Sequence, residues 1–378
     1  MKKVDILILN WKDIKHPQVG GAEIIVYELA KRLVKDGHKV TWFTRSFKDT
    51  SSKESVEGID VIRRGNLITV YLFAPFYYWS LKKKPDLVVD MSNTIYWQTP
   101  LWVWDSKKVA YLNQLAMEVF DWEYSRFVAF VGKLIEKVQY ITYKKVPFLC
   151  YSNSTKSDLV SMGVPAKNVH LFSLGIDHDR YFPGEKSKAP LFICVSRLVR
   201  MKRTHLAVEA MRYVVEKYPG AKLVIVGYGY ERLHLEELRD SLDLQKNVFF
   251  QDEDILFFEK DTKDAKVKLM QQAWALIFPS VKEGWGMTVT ECASCGTPSI
   301  VSDVTGLKDS VKKDKTGLVL SKNPDPEEIA NAMVKLIENK SLRIKLQANS
   351  LELAKELTWE KSYKKFTSII KNIVGVTK

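Results

Sequence analysis

"WALIFPSVKEGWGMTVTECASCGTPSIVSD" (Trp274–Asp303) reads as a strand, a loop, a helix and a second strand. "WALIFPS" and "PSIVSD" are short apolar runs of the buried-strand type, and two such strands joined through a helix make one crossover of a parallel sheet. The loop carries Glu283 ahead of Gly284-Trp285-Gly286, and the helix after it carries Glu291. Carboxylates are pure acceptors, so a loop and a helix start can aim the pair at one hydroxyl-bearing ligand.

The same alternation runs outward in both directions. "VDILILN" at 4–10 is strand-like, and Ala22, Ile25, Val26, Leu29, Ala30, Leu33 and Val34 then fall on one helical face closed by Gly37. "KVTWFTRSF", "PDLVVDMS", "VAYLNQ" and "PFLCYSNS" supply further strands of that sheet. After the Gly-, Pro- and charge-rich segment 175–190 the rhythm restarts with "LFICVSRL", "KLVIVGYG" and "NVFFQDE". The expected class is α/β, with two Rossmann-like parallel-sheet domains, residues 1–180 and 181–358, facing a central cleft. Trp359, Tyr363, Phe366, Ile370 and Ile373 form one stripe of a last helix, 359–378, which needs a groove and is expected to pack back on the first domain.

A chain of 378 residues exceeds what one core usually supports, which agrees with two domains. The net charge of +13 is spread as +7 over residues 1–180 and +6 over the rest, so it favours anionic partners without forming a basic tail. No zinc-finger or basic-zipper spacing is present, and nucleic acid is not an expected partner. Four cysteines and the absence of a signal-like leader point to the cytoplasm. "LITVYLFAPFYYWSL" (67–81) is too short to span a bilayer and contains Pro75. It ends in Lys82, Lys83 and Lys84, so a buried helix with a solvated end and a helix lying on an anionic membrane face both fit.

Gly20-Gly21-Ala22-Glu23 opens the first helix, where glycines permit close approach of backbone to a phosphate or sugar, or simply make a turn. "SRLVRMK" leaves a second-domain strand with Arg197 and Lys202 five residues apart, a fork and a point charge suited to a departing diphosphate. Other patterns carry less. Arg232 spoils a dinucleotide fingerprint after Gly227-Tyr228-Gly229, and Cys292-Ala293-Ser294-Cys295 reads as small-residue packing. Asp252-Glu253-Asp254 reads as a loop, and six unpaired histidines give no metal site.

"EGWGMTVTECASCGTPSIVSD" resembles the E-x7-E region of the retaining glycosyltransferases of family 4, which have the GT-B fold. "GGAE", "YSNSTKSDLVSMGVPAKNVHLFSLGIDHDRYFP", "VSRLVRMKR", "IVGYGYER" and "ALIFPSVKEGWG" extend the resemblance over nearly the whole chain. It implies that Glu291 holds ribose hydroxyls of a nucleotide-sugar, that Glu283 contacts the transferred sugar, and that Arg197 and Lys202 meet the diphosphate. Gly20, Gly21, Gly227, Gly284, Trp285, Gly286, Met287 and Thr288 join the implied donor site, with backbone N–H groups from 284 to 288 serving the anion.

The implied reaction is metal-independent, cofactor-free transfer with retention from a UDP-, GDP- or ADP-sugar to an acceptor hydroxyl. The expected acceptor is a glycan or lipid-linked saccharide, with the inner face of the cell membrane as a peripheral location. Where many family members carry a histidine after the strand "VAYL", this chain has Asn113, expected to keep a positional role in catalysis, with Glu118 a substitute group. Nucleotide-sugar binding without transfer, or a GT-B epimerase or phosphorylase, are the alternatives. Glycosidase-like use of the two carboxylates leaves Arg197 and Lys202 unexplained.

Overall fold

The computed structural model describes residues 3–92, 94–251 and 263–375. The chain divides into two compact units. The first comprises Met1–Met117, Phe127–Gly175 and Trp359–Lys378, and the second Glu118–Arg126 and Ile176–Thr358. Asp252-Glu253-Asp254 lies outside the described residues.

Among the described residues, the first unit holds strands β1 (Asp5–Leu9), β2 (Lys39–Thr44), β3 (Lys53–Val56), β4 (Ile59–Arg63), β5 (Leu87–Ser92), β6 (Lys107–Leu112), β7 (Phe148–Cys150) and β8 (Val169–Leu171). They form one sheet in the order β3-β4-β2-β1-β5-β6-β7-β8. Its strands pair in parallel, as expected, except the edge strand β3, which runs antiparallel to β4. The cause is a two-residue turn. Glu57 and Gly58 both have positive φ, 49° and 81°, the geometry that turns adjacent strands back on each other.

Helices α1 (Gly21–Lys35), α2 (Val70–Ser80), α3 (Met117–Glu123), α4 (Arg126–Tyr143) and α5 (Asn153–Ser161) follow in the first half of the sequence. In α1 the expected face is largely the buried one: Ile25, Val26, Leu29, Ala30 and Leu33 are buried. α2 buries only Val70, Ala74 and Tyr78, so a fully buried helix is not what residues 67–81 form. α3 groups with the second unit although its sequence lies in the first half, because Glu123 accepts a hydrogen bond from the Met201 amide at 2.7 Å.

The second unit's sheet has strands β9 (Leu191–Val195), β10 (Lys222–Val226), β11 (Val248–Gln251), β12 (Ala275–Phe278), β13 (Ser299–Val301) and β14 (Gly317–Val319), ordered β11-β10-β9-β12-β13-β14 and parallel throughout. Its helices are α6 (Thr204–Lys217), α7 (Arg232–Ser241), α8 (Lys263–Gln272), α9 (Met287–Ser294), α10 (Leu307–Ser310), α11 (Pro326–Glu338) and α12 (Lys340–Lys355). β9 is buried along its whole length, as a central strand covered on both faces must be. Fully burying side chains such as Phe192 and Ile193 contributes about 1.5–3 kcal/mol each.

The last helix, α13 (Trp359–Val374), belongs to the first unit. Trp359, Phe366 and Ile370 are buried, Phe366 meets Phe172 edge-on, and the Tyr363 hydroxyl donates to Asp36 at 2.7 Å just past α1.

Candidate functional site

In the second unit, the chain leaves β9 through Ser196–Leu198 and makes one tight turn at Arg200–Lys202 before α6. That turn carries Lys202 to Glu283, with which it forms an ion pair while lying 5.1 Å over the Phe278 ring. The basic loop and the acidic loop, each singled out in the sequence, therefore meet. Arg197 does not join them: it is exposed and forms no ion pair among the described residues.

The Glu283 loop is held by its own neighbours. Glu283 donates its amide to Thr305 at 3.1 Å, and at Gly306 (φ +83°) a Cβ would lie 2.3 Å from the Glu283 carbonyl. Only glycine allows segment 303–306 to lie so close. Gly286, at φ +91°, starts α9, and its Cβ would strike Leu307 at 2.8 Å. Gly284, Trp285, Met287 and Thr288 are all part-exposed around this helix start. The N–H groups of a first helical turn have no intrahelical partner and carry partial positive charge.

Further along α9, Glu291 Oε2 lies 3.3 Å from Lys266 Nζ on α8, with the lysine almost fully buried. Tyr181 adjoins the same carboxylate: burial, and then the charge of Glu291, push its phenol well above the usual range. The linker also supports the far end of α9. His178 Nδ1 lies 3.0 Å from Ser294 Oγ, and Lys186 donates to the Cys295 carbonyl at 3.2 Å. Burial lowers the Lys186 pKa to about 8. Cys292 and Cys295 are buried thiols in this core, and burial drives both upward, Cys295 to about 12.

Two basic residues absent from the sequence-based set stand beside it. Lys282, buried, donates to Glu118 on α3 at 2.6 Å. Burial works to raise the Glu118 pKa, but the hydrogen bond and charge of Lys282 outweigh it and leave the carboxyl below its ordinary range. Glu118 is thus held as a carboxylate and is a poor proton donor near neutrality. Arg203 has a positive φ of 52° and a buried guanidinium that donates to the carbonyls of Pro279, Ser280 and Lys322, to Ser302 Oγ and to Asn323 Oδ1. It ties together the ends of β12, β13 and the segment after β14. With only neutral partners, burial lowers its pKa to about 10.

Gly227, at φ 145°, follows β10, and Gly229 lies so close to Leu198 that a Cβ there would be 2.1 Å from its carbonyl. This pair fits the β10 loop against the β9 loop.

Gly20, Gly21 and Asn113 belong to the first unit. Gly20 caps α1 in an extended conformation, and its amide donates to the Glu23 carboxylate at 2.8 Å, so Glu23 reaches back to cap the start of its own helix. Glu23 is buried, and burial raises its pKa against the opposing charge of Lys12. Asn113 follows β6, and its Oδ1 accepts from the Tyr151 hydroxyl at 2.5 Å, while Tyr151 is hydrogen-bonded in turn to Tyr111. The amide's acceptor oxygen is therefore engaged.

Family profiles match across most of the chain: Glycosyltransferase Family 4 over residues 19–180 and glycosyl transferases group 1 over residues 176–352. The chain belongs to glycosyltransferase family 4. A curated relative, an uncharacterized glycosyltransferase of Methanocaldococcus jannaschii, is 28% identical over 333 residues, which is 81% of this chain and 83% of that one. Among solved structures, the sucrose-phosphate synthase of Thermosynechococcus elongatus superposes with a TM-score of 0.78 at 19% identity, covering 98% of this chain and 99% of its own. Anabaena HepE in complex with UDP-glucose gives 0.74 at 15% identity, covering 98% and 100%. The fold is GT-B, and this family 4 member is a glycosyltransferase.

The family 4 member's candidate site residues differ in how far the sequence reveals them. Glu283, Glu291 and Lys202 stood out by spacing. Lys266 lies in the polar stretch "KDAKVKLMQQ", which reads as a solvated surface, and Arg203 lies in a basic run whose members look alike. The local sign of Arg203 is its position beside Lys202.

Proposed function

We propose that this glycosyltransferase moves a sugar, with retention of anomeric configuration, from a UDP- or GDP-sugar to a hydroxyl of a lipid-linked saccharide or glycolipid. The observation that carries this reading is the meeting of Lys202 and Glu283 beside the start of α9, with Glu291 on the same helix. Lys202 is a cation for the departing diphosphate, assisted by the α9 N–H groups and by exposed Arg197. Glu283 and Glu291 are acceptors for hydroxyls of the transferred sugar and the ribose. The glycines around them let the backbone come close.

In this mechanism the diphosphate leaves on the face from which the acceptor attacks, and the leaving oxygen takes the acceptor's proton. The charge of the cations and the helix end meets the requirement for charge stabilisation without metal. Asn113, through its NH2, positions the sugar or the acceptor. UDP-glucose bound to HepE supports a nucleotide-sugar donor at the level of the shared fold. Among the described residues, no helix is long and apolar enough to cross a membrane.

A thermal-shift screen of UDP-, GDP- and ADP-sugars, followed by NMR of the product's anomeric proton, tests the proposal. Stabilisation by one donor class and a product of the donor's configuration support it. An inverted product refutes retention, and stabilisation without turnover across an acceptor panel favours a binding protein.

A further inference from the structure

The first unit exposes large apolar side chains on three connected segments. On α2 and the residues before it, Ile68, Leu72 and Phe76 are 78%, 65% and 66% exposed. On α4, Phe127, Phe130 and Ile141 are 77%, 67% and 62% exposed. Segment 94–104 joins these helices: the Tyr71 hydroxyl donates to the Ile95 carbonyl at 3.4 Å, and Gln139 bonds both the Tyr96 amide, at 2.9 Å, and the Thr94 carbonyl, at 3.1 Å. This segment is not a cover, for Ile95, Leu101 and Trp104 are themselves exposed. Trp104 stacks on Trp79 of α2 at 6.1 Å, and Trp79 donates to the Trp102 carbonyl at 3.1 Å.

We propose that this α2, 94–104 and α4 face docks on an anionic lipid bilayer. The proposal deepens the lipid-linked acceptor reading and rests on it for its purpose. Charge selects the occupant. Within 126–145 the basic residues are Arg126, Lys133, Lys137, Lys144 and Lys145, and the acidic one, Glu136, is buried and accepts from the Ala116 amide. Arg64 and Lys82–Lys84 flank α2 with no acidic residue between them, and exposed Asp105 is balanced by Lys107 and Lys108. Apolar and aromatic side chains interspersed with lysine suit an interface where the rings enter the acyl boundary and the ammonium groups meet headgroups. A second copy placed symmetrically on this face would set lysines against lysines.

Co-sedimentation of the full chain with vesicles of phosphatidylcholine, with and without phosphatidylglycerol, tests this. Binding should require the anionic lipid and fall as salt rises. Phe76→Ser with Phe130→Ser should weaken it roughly tenfold or more, and Lys137→Glu with Lys144→Glu should abolish the anionic preference. Ile344→Ser, exposed on the second unit, should change nothing. Matching thermal melts confirm that each variant is folded, and Leu72→Gln with Ile141→Gln serves if the first pair is not.

Equal partitioning onto both vesicles, or unchanged binding in both double variants, overturns the proposal. So does a concentration-dependent dimer in solution that Phe76→Ser with Phe130→Ser abolishes. Transfer to a detergent-dispersed acceptor without vesicle binding sinks the surface alone. Vesicle binding without any transfer keeps the surface and sinks the proposed function.

Discussion

Lys202 and Glu283, 81 residues apart in sequence, already neutralise each other beside Phe278. On the proposed function, a diphosphate competes with Glu283 for this lysine. Lys202→Ala should therefore weaken UDP or GDP binding by roughly 1.5–3 kcal/mol, the value of a charge-assisted bond. Glu283→Gln should leave it equal or tighter while lowering sugar transfer. Calorimetric titration with the bare nucleotide distinguishes them, and equal losses in both variants would contradict the pairing.

Glu291 and Lys266 form a second, more buried pair, and removing one partner strands the other. Lys266→Met should cost about 3 kcal/mol, with most of it recovered in Lys266→Met with Glu291→Gln. Urea midpoints of the single and double variants give the coupling. Simple additivity would argue against a mutual dependence.

Arg203 satisfies acceptors on three chain segments, the carbonyls of Pro279, Ser280 and Lys322 together with Ser302 Oγ and Asn323 Oδ1, so its loss leaves several acceptors without this donor. Arg203→Ala should destabilise by about 3 kcal/mol or more, and Arg203→Lys should recover little because one ammonium cannot reach partners spread around a planar fork. Denaturant unfolding of the three proteins would show it.

The Glu118 carboxyl has a lowered folded-state pKa, so its contribution is present above the unfolded value of about 4.3 and is lost as pH falls through the folded value. Wild type should exceed Glu118→Gln in melting temperature at neutral pH, and the gap should close in acid below about pH 4. A gap that widened on acidification would reverse the assignment.

Tyr151→Phe removes the donor that holds Asn113 Oδ1 and frees the amide to rotate. Asn113→Ala should lower kcat about tenfold or more with little change in nucleotide affinity, the mark of a contact made in the transition state. Tyr151→Phe should share the direction with a smaller loss. Wild-type turnover in Asn113→Ala would remove this position from the reaction.

The central strands were legible because apolar runs such as "LFICV" and "KLVIV" have few other uses in a globular chain. The hairpin of β3 and β4 was not, since Lys53, Glu54 and Ser55 look like loop and only the Glu57-Gly58 turn betrays it. In the site, spacing revealed the two glutamates but not what holds them. Arg197 and Arg203 are six residues apart in one basic run, yet one is exposed and the other buried. The difference lies in a positive φ and in carbonyls delivered by strands about 75 to 120 residues downstream, information that no local window contains.

The bond from Tyr363 to Asp36 joins residues 327 positions apart. The first unit thus needs a segment that lies beyond the whole of 176–358 in the sequence. Its sheet has no α13 to lie against until residues 359–374 have been made, by which time all of 176–358 has already been synthesised. The second unit's residues are thus all made before the first unit's last helix. A released chain ending at residue 358 would hold every segment of the second unit while the groove around α1 and β6 stays open.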